Sequence, residues 1–201
     1  MIPLFHDFQG KEVVVFGGGR VAARKASLFG SEADVVVVSR EFDDRFAEID
    51  CRTIEAEIDP EEAATHVADA FLVVPATDDV ELNAAIADRA RAAGALVNPV
   101  DEPGETVTPS VIDGEHVTVG VSTAGSSPAV SKYLRRRLAS EIEAIDPMVP
   151  LQANLRDDAT DLEEAERREF LWDVLEDDRI RSALGDGDWD RATRLAEEHR
   201  P

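Results

Sequence analysis

Cysteine, lysine and long apolar runs are nearly missing from this chain. A single cysteine, Cys51, stands among 201 residues, which excludes an intrachain disulfide. It lies between Asp50 and Arg52 with no metal-ligand cluster around it, and reads as structural or incidental. His6, His66, His116 and His199 show no H-x-x-H or C-x-x-C spacing, so no preformed structural metal site is expected. His116 stands beside a turn and is expected to face solvent. No apolar run of about 18 residues occurs, so no membrane span is expected. A basic start followed by an apolar stretch and a small-residue cleavage site is also missing. These absences point to a cytoplasmic protein.

Positive charge is the scarcest resource. Lysine occurs only at Lys11, Lys25 and Lys132, and 21 basic residues face 43 acidic ones, a net charge of −22. Such a balance argues against nonspecific nucleic-acid binding. It also makes the compact state repel itself at low ionic strength. At about 1 M salt the Debye length falls to roughly 3 Å, so the composition is expected of a salt-adapted, halophilic cytoplasm. With 43% hydrophobic residues the chain can still bury a substantial core.

What is abundant is concentrated near the N-terminus. Val13-Val14-Val15-Phe16 ends in Gly17-Gly18-Gly19, and a segment with small and basic residues follows. This reads as a buried strand, a tight turn and the first turn of a helix. Gly17-x-Gly19-x-x-Ala22 fits the dinucleotide fingerprint G-x-G-x-x-G/A. Gly17 permits the turn, Gly19 lets a pyrophosphate approach the backbone, and Ala22 lets the helix sit close on the strand. The helix N-terminus then offers N–H groups and its dipole to the phosphates.

The pattern continues as alternating strands and helices. Strands are expected at 12–16, 35–38, 51–56, 71–77 and from 96, with helices at 20–29, from Pro60, and at 79–93. That alternation predicts a parallel, doubly wound α/β sheet. After Asp101 the pattern changes. Strands at 107–112 and 117–122 are expected to form a hairpin across Asp113-Gly114. A helix from Ser127-Pro128 to about Ile145 follows, with Pro147 and Pro150 breaking it, and then a charged helical remainder. The expected division is 1–106, a Rossmann-like domain; 107–146, a small α+β region; and 147–201, a helical region.

Several groups could carry chemistry. The acidic residue that contacts a ribose belongs at the end of the second strand; there Glu41 stands slightly late, while Ser39-Arg40 would suit a 2′-phosphate, leaving NAD and NADP open. Arg40 could equally pair with nearby acids. Asp101 follows the fifth strand, at the sheet edge where ligands bind, and a carboxylate there can act as a general base; a turn residue is the plainer alternative. The 122–128 loop, with Ser122 and Ser127, is dense in hydroxyls at a helix N-terminus. Lys132 and Arg135-Arg136-Arg137 on that helix form a local anion site or an ordinary salt-bridged face.

Taken together, Met-Ile-Pro-Leu-Phe (1–5), Val-Phe-Gly-Gly-Gly-Arg-Val-Ala-Ala-Arg-Lys (15–25), Ala-Thr-Asp-Asp-Val-Glu-Leu-Asn (76–83), Asn-Pro-Val-Asp (98–101), Pro-Ser-Val-Ile (109–112) and Val-Ser-Thr-Ala-Gly-Ser-Ser-Pro (121–128) resemble one family. It is the precorrin-2 dehydrogenase / sirohydrochlorin ferrochelatase family of siroheme synthesis. The resemblance runs over almost the full chain. It implies an NAD-binding domain, a central dimerisation region and a helical C-terminal region in a homodimer. It implies oxidation of precorrin-2 to sirohydrochlorin with NAD+; some members also insert Fe2+. By this resemblance Arg20, Val21, Glu41 and Phe42 contact NAD, Asp101 is the catalytic aspartate and Ser127 lines the active site. The tetrapyrrole is rich in carboxylates, so Arg24, Lys25, Lys132 and Arg135 to Arg137 become candidates for offsetting repulsion. Pro99 departs from the apolar residue common in the family. By this resemblance, methylation of the precursor is expected to fall to another protein. The competing readings are a nonenzymatic nucleotide-sensing Rossmann domain, which would carry its acid where Ser39 stands, and an NADP-dependent reductase.

Overall fold

A computed structural model describes residues 3–100, 106 and 108–201. The chain divides into two compact units, Met1–Thr108 and Pro109–Pro201.

The first unit is built on five parallel strands: β1 (Glu12–Phe16), β2 (Asp34–Ser39), β3 (Arg52–Glu55), β4 (Leu72–Pro75) and β5 (Leu96–Val97). Their order is β3-β2-β1-β4-β5. Parallel strands covered on both faces read as continuous apolar runs, and the valine-rich runs of β1 and β2 are of that kind. Helix α1 (Arg20–Phe29) covers one face. There Ala22, Ala23 and Ala26 pack on Val13, Val15, Val35, Val37 and Val74. Helices α2 (Pro60–Val67) and α3 (Val80–Ala92) cover the other, where Ala63, Val67, Ile86 and Ala90 meet Val14, Phe16, Val36, Val38 and Val73. The alanines on α1 are the reason it lies close to the sheet. The strand order reverses between β1 and β4, so the loops after these two strands part at that point. Ligands bind in such a crevice in open α/β sheets.

The second unit opens with an antiparallel hairpin, β6 (Ser110–Asp113) and β7 (Thr118–Val121). Five helices follow: α4 (Pro128–Ile145), α5 (Met148–Asp158), α6 (Glu164–Glu176), α7 (Asp178–Gly185) and α8 (Trp189–Glu197). Met148, Leu151, Leu155, Phe170, Val174, Ile180, Leu184, Ala192 and Ala196 form the core of α5 to α8, and Ile145 at the end of α4 packs against it.

Two expectations need correction. The strand expected over 107–112 begins only at Ser110; Thr108 and Pro109 lie outside it, and Val107 lies outside the described residues. Proline has no N–H to give a ladder. Pro150 does not break a helix. It sits in the first turn of α5, with Pro147 at the N-cap, where an amide would have had no intrahelical partner anyway.

Among the described residues no helix is long and apolar enough to cross a membrane, and no group of His, Cys, Asp or Glu is placed to hold a metal ion.

Candidate active site

The glycine turn is shaped by what surrounds it. Gly17 has φ +115°, which an L side chain rarely adopts, and its N–H donates to the Val38 carbonyl at 2.9 Å. A Cβ on Gly17 would run into the Ala76 carbonyl at the end of β4, and one on Gly18 into the Glu41 carbonyl just past β2. The Gly18 carbonyl also accepts from the Asp43 N–H at 2.8 Å. Gly19 differs: a Cβ there would meet nothing within 4 Å. The first two glycines therefore serve the chain's own packing, and the third leaves open space.

That open space lies at an uncapped helix. Gly19 is the N-cap of α1 and provides no side-chain hydrogen bond. The first N–H groups of a helix have no intrahelical partner. Asp59, Asp79 and Ser127 supply such a bond at α2, α3 and α4; among the described residues, the N-cap of α1 supplies none. Donors, a helix dipole and a side-chain-free approach coincide there, which fits a pyrophosphate. Arg20 is exposed and Val21 is 42% exposed beside this turn. A groove of about 460 Å³ lies between α1 and the 44–49 segment, lined among others by Arg20, Ala23, Arg24, Arg45 and Ile49.

Beyond β2, Glu41 is exposed and Phe42 half-buried. The Phe42 ring stands edge-on to Phe46, centroids 5.5 Å apart, so the loop has an apolar anchor. Arg40 lies 3.7 Å from Glu57, both well exposed; this is the pairing with a nearby acid. At the end of β4, Thr77 is tied to the buried Asn83 of α3. Its N–H and hydroxyl donate to Asn83 Oδ1 at 3.0 and 2.7 Å, and Asn83 Nδ2 donates to the Thr77 carbonyl at 3.0 Å. Asp79 caps α3 through the N–H groups of Glu81 and Leu82.

Asp101 lies outside the described residues. The chain on either side of it is held by a polar cluster. Asn98, 5% exposed, follows β5, and its backbone N–H still donates to the Val73 carbonyl at 2.9 Å. Lys25 of α1 reaches it: Nζ donates to Asn98 Oδ1 at 2.7 Å and to Thr108 Oγ1 at 3.0 Å. Burial, with the neighbouring Arg24 adding to it, pushes the Lys25 ammonium below its usual value. Sequence reasoning offered Lys25 to a substrate carboxylate; here it serves the chain around Asn98.

The remaining candidates lie on the second unit. Ser122 is exposed, and its Oγ accepts from the Ala124 N–H at 3.1 Å. Ser127 caps α4 by accepting from the Val130 N–H at 3.4 Å. Thr123 closes the loop: its Oγ1 accepts from the Ser127 N–H at 3.1 Å and lies 3.2 Å from Ser131 Oγ. Ala124 and Gly125, at φ +50° and +80°, turn the chain. Lys132 and Arg135 are exposed on α4 and form no ion pair among the described residues.

Signals for Gly18, Asn83 and Asn98 were present in the sequence but mute. A third glycine, and asparagines near strand and helix ends, have many uses until the partner segment is known.

Comparison with known proteins agrees with this geometry. A family described as putative NAD(P)-binding matches residues 4–110. The precorrin-2 dehydrogenase of Methanosarcina barkeri is 39% identical over 189 residues, 89% of this chain and 84% of that protein. Siroheme synthase 2 of Aeromonas salmonicida is 32% identical over 95% of this chain, which spans only 41% of that longer protein. The solved structure of SirC, a precorrin-2 dehydrogenase, superposes with a TM-score of 0.73 at 22% identity, covering 98% of this chain and 100% of that one; at that identity it speaks for the fold. The chain therefore belongs to the precorrin-2 dehydrogenase family and carries that family's NAD(P)-binding region in its first unit.

Proposed function

We propose that this protein is a cytoplasmic, homodimeric, NAD-dependent precorrin-2 dehydrogenase, oxidising precorrin-2 to sirohydrochlorin in siroheme synthesis. The observation that carries the reading is the open, uncapped N-terminus of α1 after Gly19, in a chain of this family. The reaction balances as precorrin-2 plus NAD+ giving sirohydrochlorin, NADH and a proton. NAD+, when bound, accepts the hydride.

The chain's own groups do the rest. Gly17 shapes the turn, and the backbone at Gly19, Arg20 and Val21 would receive the pyrophosphate. Glu41 and Phe42 flank the adenosine end, and the Glu41 carboxylate suits a free ribose hydroxyl and repels a 2′-phosphate. Arg40, already beside Glu57 at 3.7 Å, is a weaker claim on such a phosphate, which favours NAD over NADP. Asp101 takes the proton lost from the tetrapyrrole. Ser122, Ser127, Lys132 and Arg135 receive the substrate's carboxylates, and the two cations are exposed and without ion pairs among the described residues. The proposed organisation is 1–106 for the cofactor, 107–146 for dimerisation and part of the active site, and 147–201 as the helical region. The homodimer is supported by α4. Of its 18 residues only Ser131 is buried, while Val130, Tyr133, Leu134 and Leu138 form an exposed apolar stripe at helical spacing.

The test is anaerobic turnover of enzymatically made precorrin-2 in concentrated salt, with NAD+ and NADP+ compared and Asp101→Ala run beside the parent. NAD+-dependent turnover that is lost in the variant is expected. A fully active Asp101→Ala would remove the aspartate from the mechanism, and a preference for NADP+ would reverse the cofactor assignment. Sirohydrochlorin with Fe2+ alone decides whether the same site also chelates iron.

A further inference from the structure

The glycine turn between β1 and α1 is wedged between two loops, and each loop has its own anchor. On one side stands the loop after β2. A Cβ on Gly18 would meet the Glu41 carbonyl, and the Gly18 carbonyl accepts from the Asp43 N–H at 2.8 Å. On the other side stands the loop after β4. A Cβ on Gly17 would meet the Ala76 carbonyl and lie 3.1 Å from the Thr77 nitrogen. Ala76 is still tied to the sheet, since its N–H donates to the Phe16 carbonyl at 2.8 Å. At Thr77 the buried Asn83 of α3 takes over. Its Oδ1 accepts from the Thr77 N–H at 3.0 Å and from the Thr77 hydroxyl at 2.7 Å, and its Nδ2 donates to the Thr77 carbonyl at 3.0 Å. One side chain thus holds both backbone polar groups of the residue that abuts Gly17. Capping of α3 does not call for it, because Asp79 already accepts from the Glu81 and Leu82 N–H groups at 2.9 and 3.0 Å. A buried amide is costly unless bonded. Here its bonds go to the loop that walls the crevice between β1 and β4, where the strand order reverses and ligands bind in open α/β sheets.

We propose that Asn83 is a positioning residue for the cofactor: from α3 it fixes the backbone at Ala76 and Thr77 against Gly17, and so sets one wall of the crevice that the dinucleotide enters. The inference rests on the cofactor reading given above. Asn83 acts through Thr77 and not by touching the dinucleotide. A loop released from its anchor spends only part of its time in the arrangement that binds, and the apparent affinity falls by that fraction.

The experiment measures the dissociation constant for NAD+ by calorimetry and the midpoint of urea unfolding, in concentrated salt, for the parent, Asn83→Ala and Asp79→Ala. Both variants remove hydrogen bonds at the start of α3, and both are expected to lower the urea midpoint. Asn83→Ala is expected to weaken NAD+ binding by about tenfold or more, while Asp79→Ala stays within roughly twofold of the parent. A merely structural role would move the midpoint in both variants and the affinity in neither. Thr77→Val removes the hydroxyl bond to Asn83 and keeps the two backbone ones. It is expected to weaken NAD+ binding by a smaller factor, and it carries the test if Asn83→Ala fails to fold, parent-like affinity then counting against the inference. Parent-like NAD+ affinity in a folded Asn83→Ala overturns the inference, and so does an equal loss of affinity in Asp79→Ala. A parent that does not bind NAD+ overturns the cofactor assignment, and this inference with it. A parent that binds NAD+ but does not oxidise precorrin-2 overturns the proposed function and leaves this inference standing.

Discussion

Gly18 and Gly19 are neighbours that are expected to fail differently. A methyl group on Gly18 meets the Glu41 carbonyl. Gly18→Ala should therefore cost about 1–3 kcal/mol of stability, the range of an overpacked interior, read as a lower midpoint in urea unfolding. A methyl on Gly19 meets nothing within 4 Å, so Gly19→Ala should unfold like the parent yet lose at least tenfold in NAD+ affinity by calorimetry. Equal NAD+ affinity in Gly19→Ala would mean that the open space is not the pyrophosphate site. The spacing of Gly17, Gly19 and Ala22 was legible because it is local: one turn, one helix start, one close contact. Gly18 was not, because its constraint comes from a loop past another strand. Lys25 was misjudged for a related reason. A basic residue in an acidic chain invites an anion, and only the fold shows that Asn98 and Thr108 reach it first.

At the scale of elements, the second unit is pinned by carboxylates. Asp146 follows α4 and accepts from the backbone N–H groups of Glu115, His116 and Val117, at 3.1, 3.0 and 2.7 Å. It thus ties the β6–β7 turn to the end of the helix. Burial alone would raise this carboxyl, but the three N–H bonds hold it below its ordinary value. Asp177, at the α6–α7 junction, is held far below by its hydrogen bonds to the Arg179 side chain, with His199 and the Arg179 backbone N–H adding to them. The sign follows: a depressed carboxyl stabilises above its unfolded value of about 3.9 and ceases to as pH falls through the folded value. The stability gap between parent and Asp177→Asn, measured by urea unfolding, should be constant near neutrality and shrink below about pH 4. A gap that widens in acid would contradict this account. Helix α4 gives a second test. The proposed dimer should be converted to monomer by Leu134→Glu in sedimentation experiments without a change in helical content; an undisturbed dimer would place the interface elsewhere, and a monomeric parent would remove the proposal. Strands and helices of the first unit were legible because valine runs and alanine spacing carry their own period. The hairpin start and the place of Pro150 were not. Proline marks a boundary without saying on which side of it the helix lies.

Among the described residues the acidic charge lies outside the core, with Asp146 the only buried acid. A net charge of −22 is repulsive over a Debye length of roughly 8 Å at 0.15 M salt, and much less so at about 1 M, where the length is roughly 3 Å. The unfolding temperature should therefore rise steeply with KCl concentration and then level off; a flat response would remove the salt-adapted reading. Strong acidity also bears on function, since an anionic protein must admit a carboxylate-rich substrate, and salt lowers that barrier as well. Composition makes the acidity legible at once, but it says nothing of chemistry. The central claim is that hydride leaves precorrin-2 for NAD+ on this protein. Its most direct test is to mix the parent protein anaerobically with precorrin-2 and NAD+ in concentrated KCl and follow NADH and sirohydrochlorin together. The account predicts that both appear only with the protein present, at the same rate and in equal amounts; NADH that does not form, or sirohydrochlorin that forms without it, would contradict the claim.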